Sequence, residues 1–215
     1  MELSGISLSR GDRPLFTDLN LSLTQRRIGL IGVNGSGKSS LLRLIKGLLK
    51  ADSGRVVTQG APGFVFQNPD HQLLFPTVME ELCFGLLEQG VALAECQARA
   101  QALLNRYQAP HLKTLAVHEL SDGQKQLLCI LSVLMDQPRA ILFDEPFASL
   151  DLPTTKRLMA LIQDLDQQIL MATHDLSLVR DFDRVIWLHE GQVRQDGKPA
   201  DVIRDYEAFF TLAPT

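Results

Sequence analysis

The first stretch that could do chemistry is the glycine-rich segment "GVNGSGKS", which runs from Gly32 to Ser39. Its spacing, GxxxxGK[ST], lets backbone N–H groups approach a phosphate, while Lys38 binds the β- and γ-phosphates and the Ser39 hydroxyl ligates Mg²⁺. An ordinary glycine turn before a helix is the alternative, but an apolar strand precedes the segment and a helix-forming stretch follows it. The predicted nucleotide-binding residues here are Gly32, Val33, Asn34, Gly35, Ser36, Gly37, Lys38, Ser39 and Ser40.

A second candidate site lies where the apolar stretch "AILFDE" ends, at Asp144 and Glu145. An acid at the end of such a strand places a carboxylate beside a phosphate loop, where it holds Mg²⁺, usually through water. Glu145 then stands where a general base could orient an attacking water. Many strands end in acids, so this pattern is weak by itself. Together with the phosphate loop it predicts hydrolysis of ATP, with ATP and Mg²⁺ as cofactors.

The bulk composition fits a folded protein and argues against several other classes. Of the 215 residues, 45% are apolar, enough for a full core, and 21% are charged. The net charge of −4 does not support a broad nucleic-acid surface, so we expect no nucleic-acid partner. The longest apolar run, residues 127–135, is too short for a membrane span, and the N-terminus does not read as a secretion signal. We therefore expect a soluble, intracellular chain.

Cysteines and most histidines show no metal-binding pattern. Cys83, Cys96 and Cys129 form no CxxC pair and have no histidine at zinc-finger spacing. We predict free thiols in a reducing compartment, with a redox or metal role as the alternative. The histidines at 71, 111, 118 and 189 lack ligand spacing and are assigned to surface or structural roles, and Trp187 to packing within a strand.

The elements that must position these residues alternate between strands and helices. Residues 2–9 and 18–31 read as strands around a turn at 10–14, and strand-helix alternation returns from residue 139 onward. Residues 70–136 are helical almost throughout. Alternation predicts a mainly parallel sheet covered by helices on both faces. We predict one domain over residues 1–215, with a core at 1–69 and 137–215 and an inserted helical subdomain at 70–136.

Further motifs give the chain a family resemblance. "LSDGQKQ" at 120–126, "FDEP" at 143–146, "SLD" at 149–151 and "THD" at 173–175 occur in that order, with Gln67 between the phosphate loop and the first of them. In these residues the chain resembles the ATP-binding cassette (ABC) ATPases over nearly its whole length. The resemblance implies an α/β fold of the P-loop NTPase type with an N-terminal antiparallel β part.

The resemblance also implies a second subunit. In this family the signature residues, here Ser121, Gly123 and Gln124, cap the γ-phosphate bound by the oppositely oriented subunit. Two ATP molecules are then sandwiched in a dimer, and a homodimer or a heterodimer of unlike ATPases would both fit. An ordinary helix N-cap at Ser121 is compatible with this role, since a capping hydroxyl already stands at a helix start.

Other roles come from the same resemblance. Gln67 would contact the metal and the water, beside the metal ligands Ser39 and Asp144. His174 would contact the γ-phosphate and act with Lys38 and Glu145 in catalysis. Asp151 would cross the dimer interface, although without the family a simple N-cap is the preferred interpretation.

Three departures from the family pattern affect the expected affinity. Asp122 stands where a second glycine is usual, and its carboxylate should weaken closure on a triphosphate. No aromatic residue precedes the phosphate loop at the place where the family stacks adenine, so the base must lie on Leu8 or Arg10 or be held loosely. Ser40 replaces a common threonine. We therefore expect weak nucleotide binding.

Residues 66–85, "FQNPDHQLLFPTVMEELCFG", point to a subfamily. They resemble the ATPases of energy-coupling factor transporters, which import vitamins or cobalt and nickel ions. Residues 67–85 would then contact a transmembrane coupling protein, and through it a membrane substrate-binding subunit, from the cytoplasmic side of the membrane. The alternatives are an ordinary ABC importer with a periplasmic binding protein, a soluble cassette ATPase, or a solvated turn at 70–74.

Overall fold

The computed structural model of the chain describes residues 1–11 and 13–212. The predicted turn at 10–14 contains Asp12, and the predicted domain ends at 213–215. Asp12 and residues 213–215 lie outside the described residues.

The described strands are β1 (Glu2–Arg10), β2 (Arg13–Ser22), β3 (Arg27–Ile31), β4 (Ser53–Val57), β5 (Gly63–Val65), β6 (Ala140–Asp144), β7 (Gln168–Ala172), β8 (Arg184–His189) and β9 (Gln192–Gly197). The α-helices are α1 (Lys38–Lys46), α2 (Val78–Glu88), α3 (Leu93–Arg106), α4 (Asp122–Met135), α5 (Leu152–Asp164) and α6 (Pro199–Leu212). Short 3₁₀ helices occupy Pro69–His71, Pro110–Thr114, Val117–Glu119 and Leu176–Val179. No helix of the described ranges is both long enough and apolar enough to span a membrane.

The chain divides into two compact units. The first unit comprises Met1–Phe64, Arg139–Glu145 and Gln167–Thr215, and the second comprises Val65–Pro138 and Pro146–Asp166. The second unit therefore contains the range 70–136 and, in addition, the segment that carries α5.

A six-stranded sheet has the order β5-β6-β7-β3-β8-β9. Strand β3 runs parallel to β7 and β8, and β6 runs parallel to β7. Strands β8 and β9 pair antiparallel at the other end of the sheet. Every residue of β3 and β6 is buried, as expected for parallel strands covered on both faces. The order places the carboxyl ends of β3, β6 and β7 at one edge, which is where the candidate residues follow their strands.

The N-terminal strands form a separate antiparallel sheet of order β2-β1-β4. The predicted α/β class with a mainly parallel sheet and an antiparallel N-terminal part is confirmed. The prediction of one strand across 18–31 is wrong, because the chain leaves the strand conformation between Ser22 and Arg27. The reason is topological: β2 pairs with β1, whereas β3 pairs with β7 and β8, so the chain must change sheets between them.

The second unit is built from helices α2 to α5. Thr77 and Glu80 form a capping box at the start of α2, which directly follows Pro76. Outside the named strands, the described residues of this unit contribute one isolated bridge, between Thr77 and Ala116. The three cysteines lie on these helices as buried free thiols, and burial raises the pKa of Cys129. The reducing compartment stays a prediction.

Candidate functional site

The phosphate loop joins β3 to α1 and requires glycine at two of its positions. Gly32 has φ 151°, and a Cβ there would lie 2.3 Å from the Leu188 carbonyl oxygen. Gly37, the N-cap of α1, has φ 108°, and its Cβ would lie 2.8 Å from the Phe16 ring. Larger residues would therefore be both strained and crowded, so these glycines fix the path of the loop.

The start of α1 presents unpaired backbone donors. The first bond of the helix runs from the Leu41 N–H to the Gly37 carbonyl at 2.9 Å. The N–H groups of Lys38, Ser39 and Ser40 have no acceptor among the described residues. A helix start with free N–H groups and its positive dipole end favours an anion. Because these three residues continue the glycine loop, the arrangement fits a chain of phosphates.

Lys38 is the buried cation of this site, with only 5% of its surface exposed. Its Nζ donates to the carbonyl oxygens of Gly32 at 2.7 Å and Val33 at 3.1 Å and lies 3.7 Å from Glu145 Oε1. Burial lowers the pKa of Lys38, while the carboxylates of Glu145 and Asp144 act in the opposite direction. The ammonium group is thus poorly hydrated, and a further anion beside it would gain a strong interaction.

Asp144 and Ser39 form the oxygen cluster expected of a hard cation site. The Ser39 hydroxyl donates to Asp144 Oδ1 at 2.7 Å, and Arg43 Nη2 lies 3.8 Å from Asp144 Oδ2. Burial raises the pKa of Asp144, and the hydrogen bond from Ser39 and the charge of Arg43 oppose that rise. A hydroxyl and a carboxylate at one point are ligands that Mg²⁺ accepts. The donor set therefore fits Mg²⁺.

Glu145 occupies a strained backbone position at the end of β6. Its φ of 47° is left-handed, which is rare for a residue with a side chain, and its N–H donates to the Ala172 carbonyl at 2.9 Å. This conformation directs the carboxylate between Lys38 on one side and His174 Nδ1, 2.6 Å from Oε2, on the other. His174 itself is 60% exposed at its side chain. Strain of this kind is typical of functional sites.

The signature residues lie in the second unit, at the start of α4. Ser121 is the N-cap: its hydroxyl accepts from the Gln124 N–H at 3.4 Å, and Gln124 Oε1 accepts from the Ser121 N–H at 2.9 Å. Ser121 and Asp122 are exposed, whereas Gly123 is buried, and a Cβ on it would lie 2.5 Å from Thr154 Cγ2. Close contact between α4 and α5 is therefore sufficient reason for glycine at 123.

Gln67 and Asp151 also belong to the second unit. Asp151 is the N-cap of α5, and its Oδ1 accepts from the Thr154 N–H at 2.8 Å. Hydrogen bonding from the Thr154 side chain, and then from its N–H, lowers the pKa of the exposed Asp151. Gln67 is exposed between β5 and the first 3₁₀ helix. The cap at Asp151 and the one at Ser121 are thus present whatever else these residues do.

Of the two residues suggested to support adenine, Leu8 and Arg10, only Arg10 is accessible. Leu8 is only 4% exposed and belongs to the core, so the suggestion that it supports the base is wrong. It points inward because β1 alternates buried and exposed residues against β2 and β4. Arg10, the other suggested residue, is exposed at the end of the same strand.

Two sets of contacts were not anticipated from the sequence. Arg43 lies four residues after Ser39 on α1, and that helical spacing could have indicated its approach to Asp144. In the second unit, the Gln72 amide donates to the Cys129 carbonyl at 3.0 Å and accepts from the Phe66 N–H at 3.3 Å. No local spacing signals this second connection, since it joins residues 57 positions apart.

Comparison with known proteins decides the family. The sequence profile described as "ABC transporter" matches residues 16–148. The chain belongs to the ABC transporter family. The ABC ATPase identified from its motifs is thereby confirmed, and it hydrolyses ATP in a reaction coupled to transport.

Two relatives and one solved structure resemble this ABC ATPase over most of its length. The "Biotin transport ATP-binding protein BioM" of Rhodobacter capsulatus is 44% identical over 220 residues, which cover 97% of this chain and 94% of that protein. The "Energy-coupling factor transporter ATP-binding protein EcfA" of Methanocaldococcus jannaschii is 34% identical, over 84% of this chain and 71% of that protein. The solved structure of CbiO1 from Clostridium perfringens, described as part of the ABC transporter complex CbiONQ, matches with a TM-score of 0.84 at 30% identity, covering 98% and 93% of the two chains.

Proposed function

We propose that this ABC ATPase powers an energy-coupling factor type importer, and that the imported nutrient is a vitamin such as biotin, with a transition-metal ion as the second candidate. The similarity to a biotin transport ATPase over 97% of the chain is the observation that carries the proposal. Similarity to an energy-coupling factor ATPase supports the transporter type. The nutrient itself would touch a membrane subunit and not this chain.

An exposed apolar surface supports a membrane partner. We call Leu74, Phe75 and Phe84 the coupling surface; Leu74 is 75% exposed and Phe84 40% exposed, and the rings of Phe75 and Phe84 are 4.6 Å apart. Buried Glu81 fixes the loop by accepting from the N–H groups of Leu74 at 2.8 Å and Phe75 at 3.0 Å. Apolar groups held rigidly at the surface are typical of an interaction site. They lie within residues 67–85, where contact with a coupling protein is proposed.

The proposed working unit is a dimer, either of two identical chains or with a related ATPase. Ser121 is exposed and stands at the positive end of a 14-residue helix, so its hydroxyl and that helix end could reach a phosphate on another subunit. Lys38, Ser39, Asp144 and Glu145 of one chain would then share each ATP with Ser121, Gly123, Gln124 and Asp151 of the other. Association with the coupling protein would hold the assembly at the cytoplasmic side of the membrane.

The chain's own residues account for the chemistry of hydrolysis. The free N–H groups at the start of α1 and the ammonium of Lys38 bind the β- and γ-phosphates and compensate their charge. Mg²⁺, held by Ser39 and Asp144 with Gln67 as a further proposed ligand, would supply additional charge compensation for the phosphates. Glu145 accepts a proton from the attacking water, and His174, whose Nδ1 lies 2.6 Å from that carboxylate, positions it and would contact the γ-phosphate through the rest of its ring.

The test is purification of the tagged chain from native membranes in mild detergent, followed by mass spectrometry. Recovery of a coupling protein with a small membrane substrate-binding protein supports the proposal, and the identity of the latter names the nutrient. Recovery of two ordinary permease subunits with a periplasmic receptor assigns the chain to a conventional importer. Recovery of no membrane protein favours a soluble cassette ATPase.

A matched pair of variants tests the coupling surface. Leu74→Asp should abolish recovery of the membrane partner, since a carboxylate cannot be buried in an apolar contact at low cost. Leu93→Asp, at a residue that is 54% exposed on α3, is the control and should leave recovery unchanged. Equal recovery with both variants would contradict this location for the contact.

A further inference from the structure

A basic side chain outside the phosphate loop is bonded directly to the start of α1. Strand β1 ends at Arg10, and its guanidinium Nη2 donates to the Ser40 hydroxyl at 3.1 Å. Ser40 is only 4% exposed and immediately follows Ser39. The contact joins residues 30 positions apart, so the fold and not the local sequence brings this charge to the helix start.

Consecutive residues at the start of α1 point to different partners. Lys38 lies against Glu145 and Ser39 against Asp144. In the proposed function, on which this inference rests, these two carboxylates mark the end of the site where the γ-phosphate is attacked. Ser40 instead contacts Arg10, which has no ion pair with either carboxylate among the residues that the structure describes. The start of α1 thus meets the two carboxylates through Lys38 and Ser39, and a separate positive charge through Ser40.

Residues of β2 pack against the phosphate loop. Phe16 lies so close to Gly37 that a Cβ there would be 2.8 Å from its ring. Gly191, after β8, contacts both sides: its N–H donates to the Ser36 carbonyl at 3.3 Å, and a Cβ on it would clash with the Leu15 carbonyl oxygen. Arg10 thus ends a strand whose neighbour, β2, packs onto the loop.

We propose that Arg10 is a nucleotide-binding residue that pairs with the phosphate nearest the nucleoside. A guanidinium has five N–H donors, so the bond to Ser40 leaves others for a phosphate oxygen, and their planar fork suits that geometry. The phosphate contact of Arg10 makes up for part of the affinity that is lost because no aromatic residue stacks on adenine. Arg10 contributes by attracting the negative charge of the phosphates and not by contacting the base.

Titration calorimetry with ADP in the absence of Mg²⁺ tests this assignment, because ADP has no γ-phosphate for a second subunit to cap. We expect Arg10→Ala to weaken ADP binding about tenfold, the usual size for a hydrogen-bonded charge contact. Arg10→Lys keeps the charge and should recover most of the affinity. Arg10→Gln keeps a donor for Ser40 without the charge and should bind as weakly as Arg10→Ala. Arg55→Ala, at an exposed residue of β4, is the control and should bind like the parent.

Other outcomes overturn the proposal. If Arg10→Phe binds ADP as tightly as the parent and Arg10→Lys does not, Arg10 stacks on the base. If Arg10→Gln and Arg10→Ala both retain the parent affinity, the bond to Ser40 only holds the strand in place. Thermal unfolding of each variant without nucleotide is measured alongside, and Arg10→Lys and Arg10→Gln keep the test valid if Arg10→Ala does not fold.

Discussion

The phosphate-loop residues of the first unit and the signature residues of the second form their hydrogen bonds with different kinds of partner. In the first unit, functional side chains bond to one another across the chain: Ser39 to Asp144 and Glu145 to His174. In the second unit they bond to their own helix, as Ser121 does with Gln124 and Asp151 with Thr154. The first group forms a charged cluster suited to binding and hydrolysing a phosphate. The second group forms helix caps whose exposed groups are available to a second subunit.

This difference separates what each region should control. Substitutions in the buried cluster should affect nucleotide binding and chemistry in a single chain. Substitutions in the exposed caps should affect association of two chains and leave ADP binding by one chain unchanged. The predictions below test that separation, beginning with the largest expected effect.

Removing the buried cation should have the largest effect. Lys38→Ala removes the ammonium charge beside the phosphates and Glu145, and we expect ATP hydrolysis to fall about 1,000-fold. A coupled-enzyme assay of phosphate release measures this. Lys50→Ala, at an exposed residue just after α1, is the control and should keep parental activity. Substantial hydrolysis by Lys38→Ala would place the nucleotide elsewhere.

Neutralising the proposed general base should stop chemistry without preventing association. Glu145→Gln removes the proton acceptor, so turnover should fall about 100-fold or more, while ATP still joins two chains. Light scattering in saturating Mg-ATP should give a dimeric mass. The exposed residue Glu88 provides the control substitution, Glu88→Gln. A monomeric mass for Glu145→Gln would count against the dimer.

The signature serine should matter for ATP and not for ADP. Ser121→Ala removes a hydroxyl proposed to contact the partner's γ-phosphate, and we expect hydrolysis to fall about tenfold. Loss of the N-cap should also lower the free energy of unfolding by about 1 kcal/mol. Calorimetry with ADP should show parental affinity, with Ser53→Ala on exposed β4 as the control. Weakened ADP binding would contradict the separation of the two regions.

The unusual acid in the signature should oppose dimer closure. Asp122→Asn removes the charge at an exposed position and keeps the size, so ATP-driven dimerisation of the Glu145→Gln background should tighten about fivefold. Asp122→Gly should do the same but lose some stability, since glycine is unfavourable inside a helix. Analytical ultracentrifugation at several ATP concentrations gives the comparison. Unchanged dimerisation in both variants would mean that the carboxylate points away from the phosphate.

The smallest effect concerns the cap of α5 and its pH dependence. Folding lowers the pKa of Asp151 through its bond to Thr154, so the unfolded chain binds more protons between the two pKa values. The contribution of ionised Asp151 to folding stability is therefore fully present above the ordinary aspartate pKa. It is lost as pH falls through the lowered pKa of the folded chain. Asp151→Asn keeps the cap without the charge, so its stability relative to the parent should improve below about pH 4. Urea unfolding at pH 7 and below tests this.

Local patterns in the sequence were enough for much of the site. The predictions depend on neighbours within a few residues: the glycine spacing around Lys38, the acids after an apolar strand at 144 and 145, and the helix N-cap at Ser121. The same holds for the helical character predicted over residues 70–136, within which α4 lies. Whether these residues perform the assigned roles stays a prediction that the variants above address.

Other features could not be predicted because they depend on which distant segments become neighbours. Nothing local to residues 23–26 shows that the chain changes sheets there. The need for glycine at 123 arises from Thr154, and the contact of Ser40 with Arg10 joins residues 30 positions apart. The burial of Leu8, which removes it from the adenine site, follows from its face of β1.

The sequence by itself determined the class of chemistry, because phosphate loops and helix caps are built from consecutive residues with fixed backbone geometry. Only the tertiary structure decided which charges surround that chemistry. Arg10 reaches Ser40, Arg43 approaches Asp144, and Glu145 lies between Lys38 and His174 because strand order and helix packing bring distant segments together. Electrostatic interactions act through space and not along the chain, so their partners are known only once the fold is known.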